Sequence, residues 1–134
     1  MAVNITKGIY QLVEEANQVV EEISVEQAQA LHGQKGIQFV DIRDVRELQR
    51  DGIIPGAYHC PRGMLEFWID PESPYAKEIF QQDLTLVLYC GGGLRSALAG
   101  RAITEMGLQG VKHMHGGFAA WRKADSQIEE YKKA

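Results

Sequence analysis

Nine residues, Leu88-Tyr89-Cys90-Gly91-Gly92-Gly93-Leu94-Arg95-Ser96, hold the clearest chemistry in the chain. An apolar run ends in a cysteine, three glycines follow, and the residues after them have a helical pattern. Such a turn lies where open parallel sheets place their active sites, beyond the C-terminal ends of the strands. Glycines adopt backbone angles closed to other residues. The loop can therefore curl until successive N–H groups point inward and form an anion-binding concavity. The following helix start adds free N–H groups and positive partial charge. That setting favours a thiolate, the nucleophilic form of the side chain. Arg95, five positions beyond Cys90, supplies a cation. The competing reading is structural: a cysteine closing a buried strand behaves as a small apolar residue, with the glycines serving packing. Packing alone does not call for three consecutive glycines and an arginine, so the reactive reading is preferred.

Residue types set other loops aside. A Walker phosphate loop needs a lysine, and none stands between Gly91 and Ser96. The GxGxxG spacing of a dinucleotide fingerprint does not fit here. A Cys–His protease needs a partner histidine, which sequence does not place.

Elsewhere the candidates are fewer. Asp41 and Arg43 end a strand pattern; a catalytic role is the alternative to the preferred structural one, an ionic pair near the loop that fixes its shape, with Glu47 available to the same network. Cys60 reads as a small core thiol; its sharper alternative is a resolving cysteine, which distance would decide. His113 and His115 flank Met114 and would share one side of a strand, a two-ligand start for a metal site. No third ligand is in view, so satisfied or solvated histidines are expected. His59 is assigned to local hydrogen bonding, and Phe118 and Trp121 to the core. Nothing establishes Arg62 or Trp68 at a pocket mouth.

The elements that must position these residues alternate in type. Ile9, Leu12, Val13, Ala16, Val19, Val20 and Ile23 follow helical spacing and predict an amphipathic helix over 9–23. Its opposite face carries Glu14, Glu15, Asn17, Glu21 and Glu22, and it packs on its own domain or on a partner. Ser24 and Gln27 have the form of a capping box for a short helix ending near 31–33. Strands are expected at 37–40, 57–60, 84–89 and 111–114, the third apolar enough to be buried on both faces. Helices are expected at 45–50, stopped by Gly52, at 64–69, 75–80, 94–106 and 118–121. The tail, 126–134, reads as a helical or frayed end. The pattern predicts an α/β domain with a mostly parallel central sheet flanked by helices.

Length and composition agree with one domain. The chain has 134 residues, 45% of them hydrophobic, which suffices for a core. A net charge of −4 argues against nucleic acid as the main partner. Neither a membrane-length apolar stretch nor a secretory leader is visible, so a cytoplasmic protein without membrane partners is expected. Two cysteines without CxxC spacing are expected to be free thiols.

Four motifs then resemble one family in order. Asp41-Ile-Arg-Asp44 with Glu47 is similar to the first signature of single-domain rhodaneses, and Gly52-Ile-Ile-Pro55-Gly56-Ala57 with His59 and Pro61 to the second. Tyr89-Cys90-Gly-Gly-Gly-Leu-Arg95-Ser96 resembles their active-site loop, and Gly116-Gly117-Phe118 with Trp121 their C-terminal signature. The resemblance covers roughly 23–123 and implies a rhodanese-like domain at 23–125, a helical extension at 1–22 and a tail at 126–134. It implies a sulfurtransferase whose Cys90 takes the outer sulfur of thiosulfate or a persulfide and passes it to cyanide or a thiol, including a thioredoxin-like protein. Gly91, Gly92, Gly93, Leu94 and Arg95 would hold the anionic substrate through their N–H groups, with Asp41 and Arg43 supporting the loop. No cofactor or metal is implied. Cys60 stands where the family tends to have an apolar residue. Rhodanese-like phosphatases and arsenate reductases have five residues between cysteine and arginine; here there are four. Non-catalytic rhodanese-like binding modules commonly lack the cysteine. Sulfur transfer is therefore preferred over both.

Overall fold

The apolar run Thr85–Tyr89 forms β4, the middle strand of a five-stranded parallel sheet of order β1-β5-β4-β2-β3. A central parallel strand is covered on both faces, which is why its sequence is apolar without alternation. Its neighbours are β2 (Ile37–Asp41) and β5 (Lys112–Met114). The edges are β1 (Glu21–Ile23) and β3 (Tyr58–His59). The computed structural model describes residues 3–132.

Six helices flank the sheet: α1 (Ile9–Ala16), α2 (Val25–Leu31), α3 (Val45–Asp51), α4 (Leu65–Ile69), α5 (Leu94–Glu105) and α6 (Gly117–Lys123). Local chemistry starts and stops them as the sequence implies. Ser24 and Gln27 cap α2 reciprocally. Asp44 and Glu47 do the same for α3, and the Gly52 N–H closes its end on the Leu48 carbonyl.

Side chains alternate across the sheet and build two cores. Phe39, Val87, Tyr89 and Met114 join Phe118 and Trp121 on one face. Val40, Leu88 and Cys90 join Cys60, Leu65 and Ile103 on the other. The alternation along β4 thus turns Cys90 towards the face that carries α5. No helix among the described residues is long and apolar enough to cross a membrane.

Both ends of the chain differ from expectation. The predicted helix over 9–23 stops at Ala16, and Glu21–Ile23 become β1, paired with Lys112–Met114. Val19, Val20 and Ile23 suit either period, and the open edge of β5 decides for a strand. The tail is not frayed through the described residues. Ile53 and Glu129 exchange backbone hydrogen bonds of 2.9 and 3.0 Å, and the Trp121 indole donates to the Gln127 carbonyl at 2.7 Å. The helix expected at 75–80 is reduced to a short 3-10 turn at Glu78–Gln81.

Candidate active site

The loop after β4 is organised around the sulfur of Cys90. The Gly93 N–H donates to Sγ at 3.1 Å and the Ser96 N–H at 3.4 Å. Gly93 is the N-cap of α5 and offers no side chain, so the sulfur takes the place of a capping oxygen for the free amide of Ser96. Among the described residues, the N–H groups of Gly93 and Ser96 are the backbone donors to Sγ. Cys90 itself has no exposed surface.

The glycines differ in what they do. Gly93 has φ +101°, a left-handed conformation, and turns the chain into the helix. Gly92 is exposed, and a Cβ there would meet nothing within 4 Å. Two carbonyls of the loop are held by the first turn of α6. The Phe118 N–H donates to the Cys90 carbonyl at 2.7 Å and the Ala119 N–H to that of Gly91 at 3.0 Å. Gly117, at φ +59°, permits this contact; a Cβ there would lie 2.5 Å from the Cys90 carbonyl oxygen.

Arg95 does not stand free. Its guanidinium meets the Glu47 carboxylate in two bonds, Nη1 to Oε2 at 2.8 Å and Nη2 to Oε1 at 3.1 Å. The pair ties the start of α5 to α3, and the Arg95 guanidinium holds the Glu47 carboxyl below the usual carboxylate range. Leu94 begins α5 and is exposed.

Asp41 and Arg43 form a fully buried pair, Nη2 to Oδ2 at 2.7 Å and Nε to Oδ1 at 3.0 Å. Arg43 also donates to the Gly52 carbonyl at 2.8 Å, and its guanidinium lies 4.1 Å from the Phe118 ring centre. It thus braces the ends of β2, α3 and α6, on which the loop rests. Beside it a cleft of about 340 Å³ is bordered by Arg43, Glu47, Gly91, Phe118, Arg122 and Lys123.

The second thiol is of another kind. Cys60 is buried, contacts the Pro61 carbonyl, and burial pushes its thiol up to about 12. Both cysteines are free thiols. His59 bonds the Arg43 carbonyl at 2.7 Å, the local role expected of it. Arg62 pairs with Glu66, and Trp68 packs against Tyr58.

The two histidines of β5 part company. His115 is exposed and bonds Glu22 at 3.0 Å. His113 is fully buried, with Nδ1 3.0 Å from Ser96 Oγ and Nε2 2.6 Å from Asn17 Oδ1. Ser96 Oγ in turn lies 3.6 Å from Cys90 Sγ. Among the described residues no group of three His, Cys, Asp or Glu side chains is placed to hold a metal. Sequence reasoning missed Ser96 and Asn17. Ser96 had a signal: a helix capped by glycine leaves its third amide seeking an acceptor. Asn17 had none, because its partner lies 96 positions away.

Comparison with known proteins gives one family. The model of the rhodanese-like domain matches residues 24–124. The thiosulfate sulfurtransferase GlpE of Shewanella oneidensis is 31% identical over 104 residues, covering 78% of this chain and 94% of that protein. GlpE of Vibrio cholerae is 32% identical over 108 residues, 80% of this chain and 92% of that one. Among solved structures, a protein of unknown function from Rhodopseudomonas palustris, described as a possible tyrosine phosphatase, is 55% identical. Its TM-score is 0.93, with 96% of this chain and 99% of that chain covered. A rhodanese-related protein from Thermoplasma volcanium, 22% identical with a TM-score of 0.67 over 82% of this chain and 98% of that one, shares the fold.

Proposed function

Because the chain belongs to the rhodanese-like family, we propose that it is a sulfurtransferase in which Cys90 carries a sulfane sulfur as a persulfide. The observation that carries this reading is the pair of backbone N–H groups, from Gly93 and Ser96, aimed at Sγ. Two donors converging on one sulfur orient it and can hold the negative charge it carries as nucleophile and as leaving group. The Cys90 thiolate attacks the outer sulfur of thiosulfate. The new S–S bond forms as the old one breaks, and sulfite leaves with the bonding electron pair. A thiolate acceptor, or cyanide, then attacks the outer sulfur of the persulfide and Cys90 departs as thiolate. Covalent passage splits one transfer into two easier ones. Both GlpE relatives are named for thiosulfate, and the cations Arg122 and Lys123 at the cleft beside Gly91 suit an anionic donor. A reducing, cytoplasmic setting would keep both thiols free, and a thioredoxin-like dithiol is a suitable acceptor. Cys60, buried and held as a thiol, is assigned no part in the transfer.

A second reading rests on the Rhodopseudomonas structure described as a possible tyrosine phosphatase. The four residues between Cys90 and Arg95 favour sulfur over it. Intact mass after incubation with thiosulfate separates the readings. Wild type is expected to gain one reducible sulfur and Cys90→Ser none. If wild type gains nothing, or Cys90→Ser gains as much, the sulfur-carrier reading fails. Cys90-dependent hydrolysis of an aryl phosphate in its place establishes the phosphatase reading.

A further inference from the structure

The Ser96 hydroxyl and the His113 ring, both buried, and the half-buried Asn17 have no role in the transfer as written, yet they form a chain that leads away from the reacting sulfur. We propose that it is a proton relay: His113 takes the Cys90 proton through the Ser96 hydroxyl and returns it, while Asn17, from outside the matched family domain, holds the ring.

The hydrogen-bond directions follow from residue chemistry. An amide oxygen only accepts, so Asn17 Oδ1 at 2.6 Å places the ring hydrogen on Nε2 and leaves Nδ1 with a lone pair. The Ser96 hydroxyl, 3.0 Å away, therefore donates to Nδ1. Its oxygen is left to accept from the Cys90 S–H at 3.6 Å. The S–H and O–H donors of this chain thus both point from the sulfur towards the ring. When the thiol ionises, the S–H bond breaks and an O–H bond forms on Ser96, while the serine's own proton passes to Nδ1. The products are a thiolate and an imidazolium, and charge is conserved. The reverse shift reprotonates Cys90 once the persulfide has lost its outer sulfur. Cys90 has no exposed surface in this structure, so the Ser96 hydroxyl is the proton acceptor already in place beside Sγ before a substrate enters.

The surroundings fit a ring that is neutral at rest and can hold the proton briefly. Burial pulls His113 below the ordinary histidine value, and Glu22, whose Oε2 is 3.9 Å from Nε2, opposes that. The titratable groups facing the ring are Glu22 from β1 and His115 from β5; α1 and α5 present Asn17 and Ser96, which carry no charge. Asn17 sits just past the end of α1, so the N-terminal helix is tied to the sulfur through Asn17, His113 and Ser96 in turn.

Use of the relay in turnover rests on Cys90 being the sulfur carrier; its effect on the thiol does not. The test is therefore Cys90 alkylation by iodoacetamide across pH, with thiosulfate loading followed separately by intact mass. His113→Gln is expected to slow alkylation about 100-fold, and Asn17→Ala about tenfold, the scale of one lost hydrogen bond. Asn17→Asp keeps the acceptor but adds a negative charge that favours the imidazolium. It should retain most of the rate near pH 8 and move the acid limb of the profile to higher pH, because only the neutral ring accepts a proton. A merely structural Asn17 would give no such displacement. Near-UV circular dichroism must show each variant folded; if His113→Gln does not fold, the Asn17→Asp profile decides. Wild-type rates and an unmoved acid limb in the Asn17 variants overturn the relay. Failure of wild type to load sulfur, with those alkylation effects intact, overturns the carrier reading instead.

Discussion

The backbone N–H of Phe118 donates to the carbonyl oxygen of Cys90 at 2.7 Å, so the helix that follows the last strand holds the loop that follows the middle one. Gly117 makes this approach possible, because a Cβ at that position would lie 2.5 Å from the same oxygen and 2.8 Å from the Gly91 carbonyl. A left-handed conformation costs an L-residue about 1–2 kcal/mol, and a forced overlap about 1–3 more. Gly117→Ala is therefore expected to lose about 2–5 kcal/mol of stability and to displace the loop. Gly92→Ala, with open space around it, should stay within about 0.5 kcal/mol of wild type. Urea midpoints of the two variants check the contrast. Equal midpoints would show that the α6 contact does not set the loop.

Glu47 caps α3 and grips Arg95, which makes it the hinge pin between α3 and α5. Arg95 is 42% exposed at its side chain, so the pair is partly solvated and its coupling should be modest, about 0.5–1 kcal/mol. A double-mutant cycle with Glu47→Gln and Arg95→Gln is expected to show that coupling in stability, and a larger rise in thiosulfate KM for Arg95→Gln than for Glu47→Gln. Since Arg95 lowers the Glu47 carboxyl, the contribution is complete above about pH 4.3, the ordinary glutamate value. It is lost as pH falls through the lower folded value. Strictly additive single variants would mean that the two side chains act independently.

The turn at Cys90 was legible because it is local: an apolar run, a cysteine and glycines within nine residues specify strand, site and helix start. The caps at Ser24 and Asp44 were legible for the same reason. What escaped notice is long-range. Nothing near Asn17 announces His113, and nothing near Glu47 announces Arg95, 48 positions on. β1 was hidden because Val19, Val20 and Ile23 satisfy a helical stripe, and pairing with β5 overrides local period in a three-residue strand. The tail escaped because its hold on Ile53 is made by backbone groups, which carry no side-chain signature.

Asp41 and Arg43 are both fully buried, and each is the other's compensation. Removing one leaves the other's charge in the interior, a change of about 3–5 kcal/mol. Asp41→Ala and Arg43→Ala are each expected to lose that much in denaturant unfolding. Arg43→Ala should also loosen the loop, since Gly52 and Phe118 lose their shared partner. Faster alkylation of Cys90, at a temperature where the variant remains folded, is the readout. An Arg43→Ala protein of wild-type stability contradicts the bracing role.

His113 gives stability a pH dependence of its own. Burial lowers the folded ring's proton affinity, whereas in the unfolded chain it protonates near about pH 6.5. Below that pH the unfolded state binds the extra proton first, so stability is complete above about pH 6.5 and declines as pH falls. The decline ends once the folded ring also protonates. It begins at higher pH than the loss at Glu47, and the two are told apart by the variant that lacks the ring. His113→Gln lacks the titrating group and should lose the upper decline while keeping the lower one. Unfolding free energies measured in urea from about pH 8 down to pH 4 test this. If wild type and His113→Gln run parallel between about pH 5 and 7, protonation of the buried ring does not govern acid stability.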